Sequence, residues 1–185
     1  MVLIGNLPEN NDDSSSAIRT TTVKALAFTL PSGNNYSLDN AILRLGDYEP
    51  GETPLVQIRN DVGGSDPGST VLANFTNPSS LGTGVFSYTF TPTSPFTFTA
   101  GTKYWLYVTS TSGDFAWRSS SPSITPTGIA TSSGARAGIG GSFGDSSILN
   151  SFEINATKVP EPGAIAALSL FGLGLLGVKG RRNEE

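Results

Sequence analysis

From Val23 to Ile154 the chain repeats one pattern, in which short runs of alternating apolar and polar residues are separated by turns rich in glycine, proline and asparagine. Val85–Phe90 is the clearest run, because its aromatic residues alternate with serine and threonine. The strands predicted in this way are Val23–Leu30, Tyr36–Leu45, Leu55–Arg59, Val71–Phe75, Val85–Phe90, Phe96–Thr99, Tyr104–Val108, Asp114–Arg118, Ala135–Ile139 and Ile148–Ile154. Short strands at this spacing predict an all-β domain over residues 1–157, an antiparallel β-sandwich of either jelly-roll or immunoglobulin-like topology.

Three segments depart from this alternation. Tyr104–Val108 is apolar at almost every position, which is typical of a central strand covered on both faces. Asn6–Ser16 is rich in asparagine, aspartate and serine, and Ser119–Ser133 is rich in serine, proline and threonine. We predict an irregular segment for the first and a long loop for the second.

The tail of the chain is unlike the rest. Gly163–Val178 is a run of sixteen residues without a charge. As a helix it would be roughly 24 Å long, which is shorter than the hydrocarbon core of a membrane at about 30 Å. A span from Pro160 to Gly180 closes that difference, because the aliphatic part of Lys179 can lie in the membrane while its amine reaches the headgroups. The pattern predicts a short C-terminal transmembrane helix and favours it over a buried core helix.

A basic cluster follows the apolar run and indicates its orientation. Lys179, Arg181 and Arg182 would keep the C-terminal end in the cytoplasm, because basic residues flank membrane spans on that side. The β-domain would then lie outside. The glycines at 172, 174 and 177 match the G-x-G-x-x-G nucleotide pattern, but neither the preceding strand nor the following βαβ unit is there. We therefore predict no cofactor.

The order of these parts resembles a known family of signals. Val159, Pro160, Glu161 and Pro162, followed by the apolar run and an arginine pair, are similar to the PEP-CTERM sorting signal of exported bacterial proteins. The resemblance makes residues 158–182 a sorting and anchor segment. It implies recognition by an exosortase, which is a membrane protease, with cleavage near the Pro-Glu-Pro motif. The protein would be anchored in the membrane during export and would then reach the cell surface or extracellular matrix.

The N-terminus does not supply the export signal that such a tail requires. Met1–Asn6 has no basic region and only a short apolar stretch, so no signal peptide is visible. We expect the true start to lie upstream of Met1. The alternatives are that the chain is a fragment or that it is not exported.

Composition excludes several classes of function. The net charge of −4 argues against nucleic-acid binding, which depends on basic patches. The chain has no cysteine, which excludes disulfides and thiol catalysis, and no histidine, which removes the usual general base of hydrolases. We expect a protein that is not an enzyme.

The body of the chain carries a second resemblance. Arg59–Asp61 with Gly63–Ser69, then Phe90–Pro92 and Ala100–Leu106, are similar to the exported choice-of-anchor domains of the R type. The similarity covers roughly Leu3 to Thr157. It rests on turn and strand signatures, so it implies a fold and leaves the activity open.

A few residues of the body could carry chemistry. Asp61, Asp66, Asp114 and Glu153 are carboxylates of the type that glycosidases pair, and Asp61 with Asp66 could bind calcium. Aspartates in turns more often bond to their own backbone, and the calcium-loop pattern is missing, so we favour turn roles for both.

Aromatic residues offer a second chemistry, the stacking of sugar rings. Trp105 and Tyr107 lie in the doubly apolar strand and are predicted to be core residues. Trp117 and Arg118, at the entrance to a loop, are the better candidates for carbohydrate contact. The favoured function is therefore a surface or matrix protein without enzymatic activity. The alternative is a carbohydrate-binding module of the extracellular polysaccharide matrix, and a hydrolase comes third.

Overall fold

The computed structural model describes residues 1–7 and 11–160. All regular structure within these residues is β-strand, and every strand pairing is antiparallel. The strands are β1 (Val2–Gly5), β2 (Ser14–Ile18), β3 (Thr22–Thr29), β4 (Tyr36–Gly46), β5 (Thr53–Asp61), β6 (Pro67–Thr76), β7 (Val85–Pro92), β8 (Thr97–Phe98), β9 (Lys103–Ser112), β10 (Phe115–Ser119), β11 (Thr127–Gly128), β12 (Thr131–Ile139), β13 (Ser142–Asp145) and β14 (Phe152–Lys158). The prediction of an all-β antiparallel fold is confirmed.

The strands form one hydrogen-bonded path in the order β11-β1-β14-β4-β7-β6-β5-β9-β3-β12-β13. We call β11-β1-β14-β4-β7, together with β2, β8 and β10, the β4 layer, and β6-β5-β9-β3-β12-β13 the β9 layer. Strand β6 joins the two layers, because it pairs with β5 along most of its length and with β7 at its last two residues.

Strand β4 is the centre of its layer and pairs with four strands. It pairs with β14 and β10 along one edge and with β8 and β7 along the other. Asp39 is an extra residue between the partners of Ala156 and Asn155, which makes a bulge. The bulge shifts the alternation by one residue, so that Leu38 and Ala41 are both buried on the core side.

Strand β9 is the centre of the other layer, between β5 and β3. This confirms the central position that its doubly apolar sequence predicted. Leu106 and Val108 face the main core, whereas Trp105 and Tyr107 belong to a separate apolar cluster with Ala25 and Ala27.

The main core lies between the two layers and draws buried side chains from both. Phe28 and Leu106 come from the β9 layer, and Leu43, Phe90 and Ile154 come from the β4 layer. An edge contact between the Phe28 and Phe98 rings, with centroids 5.7 Å apart, joins the layers directly. The choice between jelly-roll and immunoglobulin-like topology stays a prediction.

The structure corrects several predicted boundaries. Part of Asn6–Ser16 belongs to strand β2, which was predicted as irregular; its serines pair with β10 through backbone groups that do not depend on apolar side chains. The predicted loop Ser119–Ser133 contains β11 and the start of β12. The last strand begins at Phe152 rather than at Ile148, because the preceding residues bond to other segments through Ser151 and Ile148.

The predicted terminal helix lies outside the described residues, as do Glu161, Pro162, Lys179, Arg181 and Arg182. Within residues 1–7 and 11–160, no helix has the length and hydropathy that a membrane span requires.

Candidate functional site

The sorting motif begins where the β-domain ends. Strand β14 lies between β1 and β4, and its last residue, Lys158, pairs with Tyr36. The Val159 N–H donates to the Asn35 carbonyl at 2.9 Å, and Pro160 beyond it is exposed. Within the described residues, the start of the motif is therefore accessible one residue beyond the last backbone hydrogen bond that joins this end of the chain to the domain.

Trp117 and Arg118 occupy opposite sides of β10. Trp117 faces the core, is fully buried and donates its indole N–H to the Ser151 carbonyl at 2.9 Å. Arg118 is partly exposed and lies 4.0 Å from Asp47. A sugar ring cannot stack on a ring that has no exposed face, so the geometry corrects the hypothesis of carbohydrate contact at Trp117.

The two calcium candidates, Asp61 and Asp66, are held by basic side chains. Asp61 accepts bonds at 2.9 Å from the Lys103 ammonium, the Trp105 indole N–H and the Gly63 backbone N–H. Asp66 lies 3.4 Å from Arg136. Across the part of the chain that the structure describes, no three acidic side chains lie close enough together to hold a metal ion between them. These bonds to both aspartates fix the loop between β5 and β6, and calcium binding there stays a prediction.

The environment of Asp61 also decides its ionisation. Burial by itself would raise the pKa of this carboxyl, but the bonds from Lys103, Trp105 and Gly63 favour the charged form and hold the pKa below its usual value. Because the folded pKa is the lower one, the resulting stability is present at neutral pH and is lost as the pH falls below 3.8.

We expect Asp61→Ala to reduce the free energy of unfolding by about 1–3 kcal/mol, since Lys103 and Trp105 lose a charged acceptor. Urea unfolding at pH 7 followed by tryptophan fluorescence would measure the change. Asp66→Ala is the matched control, and an effect within about 0.5 kcal/mol is expected there because its ion pair is half exposed. Equal losses in the two variants would contradict the role given to Asp61.

The remaining carboxylate candidates have separate partners. Asp114 lies 4.0 Å from Arg19 on the surface, and Glu153 on β14 accepts a bond from the Asn155 amide at 2.8 Å. Both contacts are of a kind that stabilises strands and turns.

A groove lies on the outer face of the β9 layer, the face turned away from the main core. The sequence analysis did not predict it. We call it the outer groove; it has a volume of about 460 Å³. Its lining includes Thr20, Thr21, Val23, Arg59, Tyr107 and Phe143. Tyr107 lies on this face because alternate residues of β9 point away from the core. The small Ala25, its partner on β3, leaves room for the tyrosine ring.

Arg59 is fixed at the floor of the outer groove. Its guanidinium carbon lies 3.4 Å from the centroid of the Tyr107 ring. Its Nε and Nη2 donate to the side-chain oxygen Oε1 of Gln57 at 2.9 and 2.8 Å. Gln57 is oriented in turn by a 2.8 Å bond from its amide to Asn74. The arginine side chain is therefore held in place by groups of the protein itself.

Comparison with known proteins identifies the tail. A family model, the PEP-CTERM protein-sorting motif, matches residues 158–183. Comparison with curated proteins and with solved structures found no significant match. The matched segment begins at Lys158, the last residue of β14. A motif of this kind supports sorting to the cell surface that depends on an exosortase, with the C-terminus anchored in the membrane during export.

Proposed function

We propose that this chain is an exported surface or matrix protein without enzymatic activity, whose β-domain is delivered by its tail. The apolar run Gly163–Val178 spans the membrane for a short time, and Lys179, Arg181 and Arg182 keep its end in the cytoplasm. An exosortase then cleaves near Pro160-Glu161-Pro162. The match over residues 158–183 carries this proposal.

The position of the motif supports the same proposal. Cleavage at or after Pro160 would leave β14 complete, because its pairing ends at Lys158 and, among the described residues, the last backbone hydrogen bond to the domain is that of Val159. The released product would be a β-sandwich with all its described strands. We propose that this sandwich is of the choice-of-anchor type.

The test is expression in a bacterium that contains an exosortase, with an in-frame signal peptide placed before Met1. The unaltered chain should appear outside the cell and, by mass spectrometry, end near the motif. Replacement of Pro160, Glu161 and Pro162 by alanine should leave uncut protein in the membrane fraction.

Two controls complete this experiment. Thr157→Ala should be processed like the unaltered chain, because this exposed residue precedes the matched segment. Deletion of the exosortase should reproduce the effect of the triple alanine variant. Extracellular protein that keeps its residues beyond Pro162 would overturn the proposal.

A second candidate function is binding of extracellular polysaccharide by the β-domain. The observation that favours it is the outer groove, which joins aromatic rings, hydroxyl groups and a fixed arginine at one place. Clefts of this mixed character are typical ligand sites.

A further inference from the structure

Arg59 differs from the other arginines in the described part of the chain. Arg19, Arg44, Arg118 and Arg136 each lie within 4.0 Å of a carboxylate. Within residues 1–7 and 11–160, Arg59 has no carboxylate at that distance. Its charge is therefore available to a ligand.

The guanidinium also keeps unused donors. Arginine has five N–H groups, and Gln57 accepts from one on Nε and one on Nη2. No described group accepts from Nη1. Nη1 and the second hydrogen of Nη2 form the end of the guanidinium fork, which matches the two oxygens of a carboxylate. Because Tyr107 and Gln57 already fix the side chain, binding costs little further side-chain entropy.

The walls of the outer groove define the rest of the ligand. Phe143 and Val23 supply apolar surface, and Thr20 and Thr21 are exposed at the rim and carry hydroxyl groups. The outward face of the Tyr107 ring already carries Arg59, so a ligand ring would lie against the Phe143 side of the groove. A pyranose ring offers C–H faces to apolar walls and hydroxyls to threonine. The volume of about 460 Å³ lies in the range of small-molecule sites.

We infer that the outer groove binds a uronic acid residue of an acidic polysaccharide, with Arg59 holding the carboxylate of the sugar. This inference rests on the second candidate function and adds to it the site and the class of sugar. Non-specific attraction of polyanions does not account for such binding, because the net charge of the chain is −4.

Isothermal titration calorimetry of the full chain in mild detergent tests the inference, with a tetramer of galacturonic acid and a neutral glucose tetramer as probes. The acidic tetramer should bind more tightly than the neutral one, and its binding should weaken as the salt concentration rises. Arg59→Gln should weaken acidic binding about tenfold or more. Arg44→Gln, the same change on strand β4 of the other layer, should leave binding unchanged.

Thr21→Glu protects the test against a folding defect in the Arg59 variant. Thr21 is exposed at the rim, so the fold should survive, and the added carboxylate should remove acidic binding by repulsion or by occupying Arg59. If the neutral tetramer bound more tightly than the acidic one, and Arg59→Gln did not change its affinity, the inference would be overturned. The proposed carbohydrate-binding function would still stand. Binding of neither tetramer would overturn both.

Discussion

A chain that ends at Ser151 is expected to be unfolded, whereas a chain that ends at Pro160 is expected to fold like the full chain. The shorter chain loses β14, which pairs with β1 on one side and β4 on the other. It also loses Phe152, Ile154 and Ala156, whose side chains are fully or almost fully buried in the main core. Truncating one buried phenylalanine to alanine costs about 3–5 kcal/mol, and domains are stable by only about 5–15 kcal/mol.

Near-ultraviolet circular dichroism and urea titration of both chains would measure this difference. The chain that ends at Pro160 is the control, because it lacks the same apolar tail and keeps every described strand. A cooperative urea transition in the chain that ends at Ser151 would contradict the role given to β14.

This expectation links the fold to the sorting signal. Because β14 is an inner strand of its layer and not an edge strand, the domain is complete only when residues up to Lys158 are available for pairing. The motif that follows must therefore be cut on the C-terminal side of β14 for the product to stay folded. The exposed position of Pro160 meets that requirement.

The local sequence pattern was sufficient to predict the place of a strand in the sheet where that place depends on the strand's own residues. The apolar residues on both faces of Tyr104–Val108 predicted a central strand, and β9 is one. Pattern failed for β2, because Ser14–Ile18 owes its conformation to the backbone of β10 rather than to its side chains. An edge strand made of serines has the composition of a loop.

Sites formed by residues of paired strands could not be predicted from the sequence pattern, because they depend on which strands pair and in which register. Trp117 looked accessible beside Arg118 at a loop entrance, yet β10 lies between β2 and β4 and turns the tryptophan into the core. Arg59 and Tyr107 meet because β5 and β9 pair with Gln57 opposite Tyr107. Nothing in the neighbourhood of either residue along the chain predicts that pairing.

Lys24 is a buried cation that reduces the stability of the domain at neutral pH. Its residue is 4% exposed, and its ammonium donates to the Ser146 hydroxyl and, at 3.2 Å, to the Ile148 carbonyl. No carboxylate lies within 4.0 Å of it in the described ranges 1–7 and 11–160. Burial lowers the pKa of Lys24 from 10.5 to about 8, because the charged form loses its hydration.

We expect Lys24→Met to raise the free energy of unfolding at pH 7 by about 1–3 kcal/mol. The pKa difference corresponds to at most about 3 kcal/mol, and the variant loses two hydrogen bonds, which offsets part of the gain. Between pH 8 and 10.5 the unfolded chain holds a proton on Lys24 that the folded chain has released. Raising the pH through this window therefore stabilises the unaltered chain, and the difference between the two proteins should shrink.

Urea titrations of both proteins at pH 7, 8, 9 and 10 would measure that convergence. Other groups titrate in the same range, but they are common to both proteins and cancel in the difference. Lys158→Met is the matched control, because this lysine is exposed at the end of β14 and its stability difference should not change with pH. If the free energies of unfolding of Lys24→Met and the unaltered chain changed with pH in parallel, Lys24 would have an ordinary pKa in the folded chain. Its burial would then not reduce the stability of the domain.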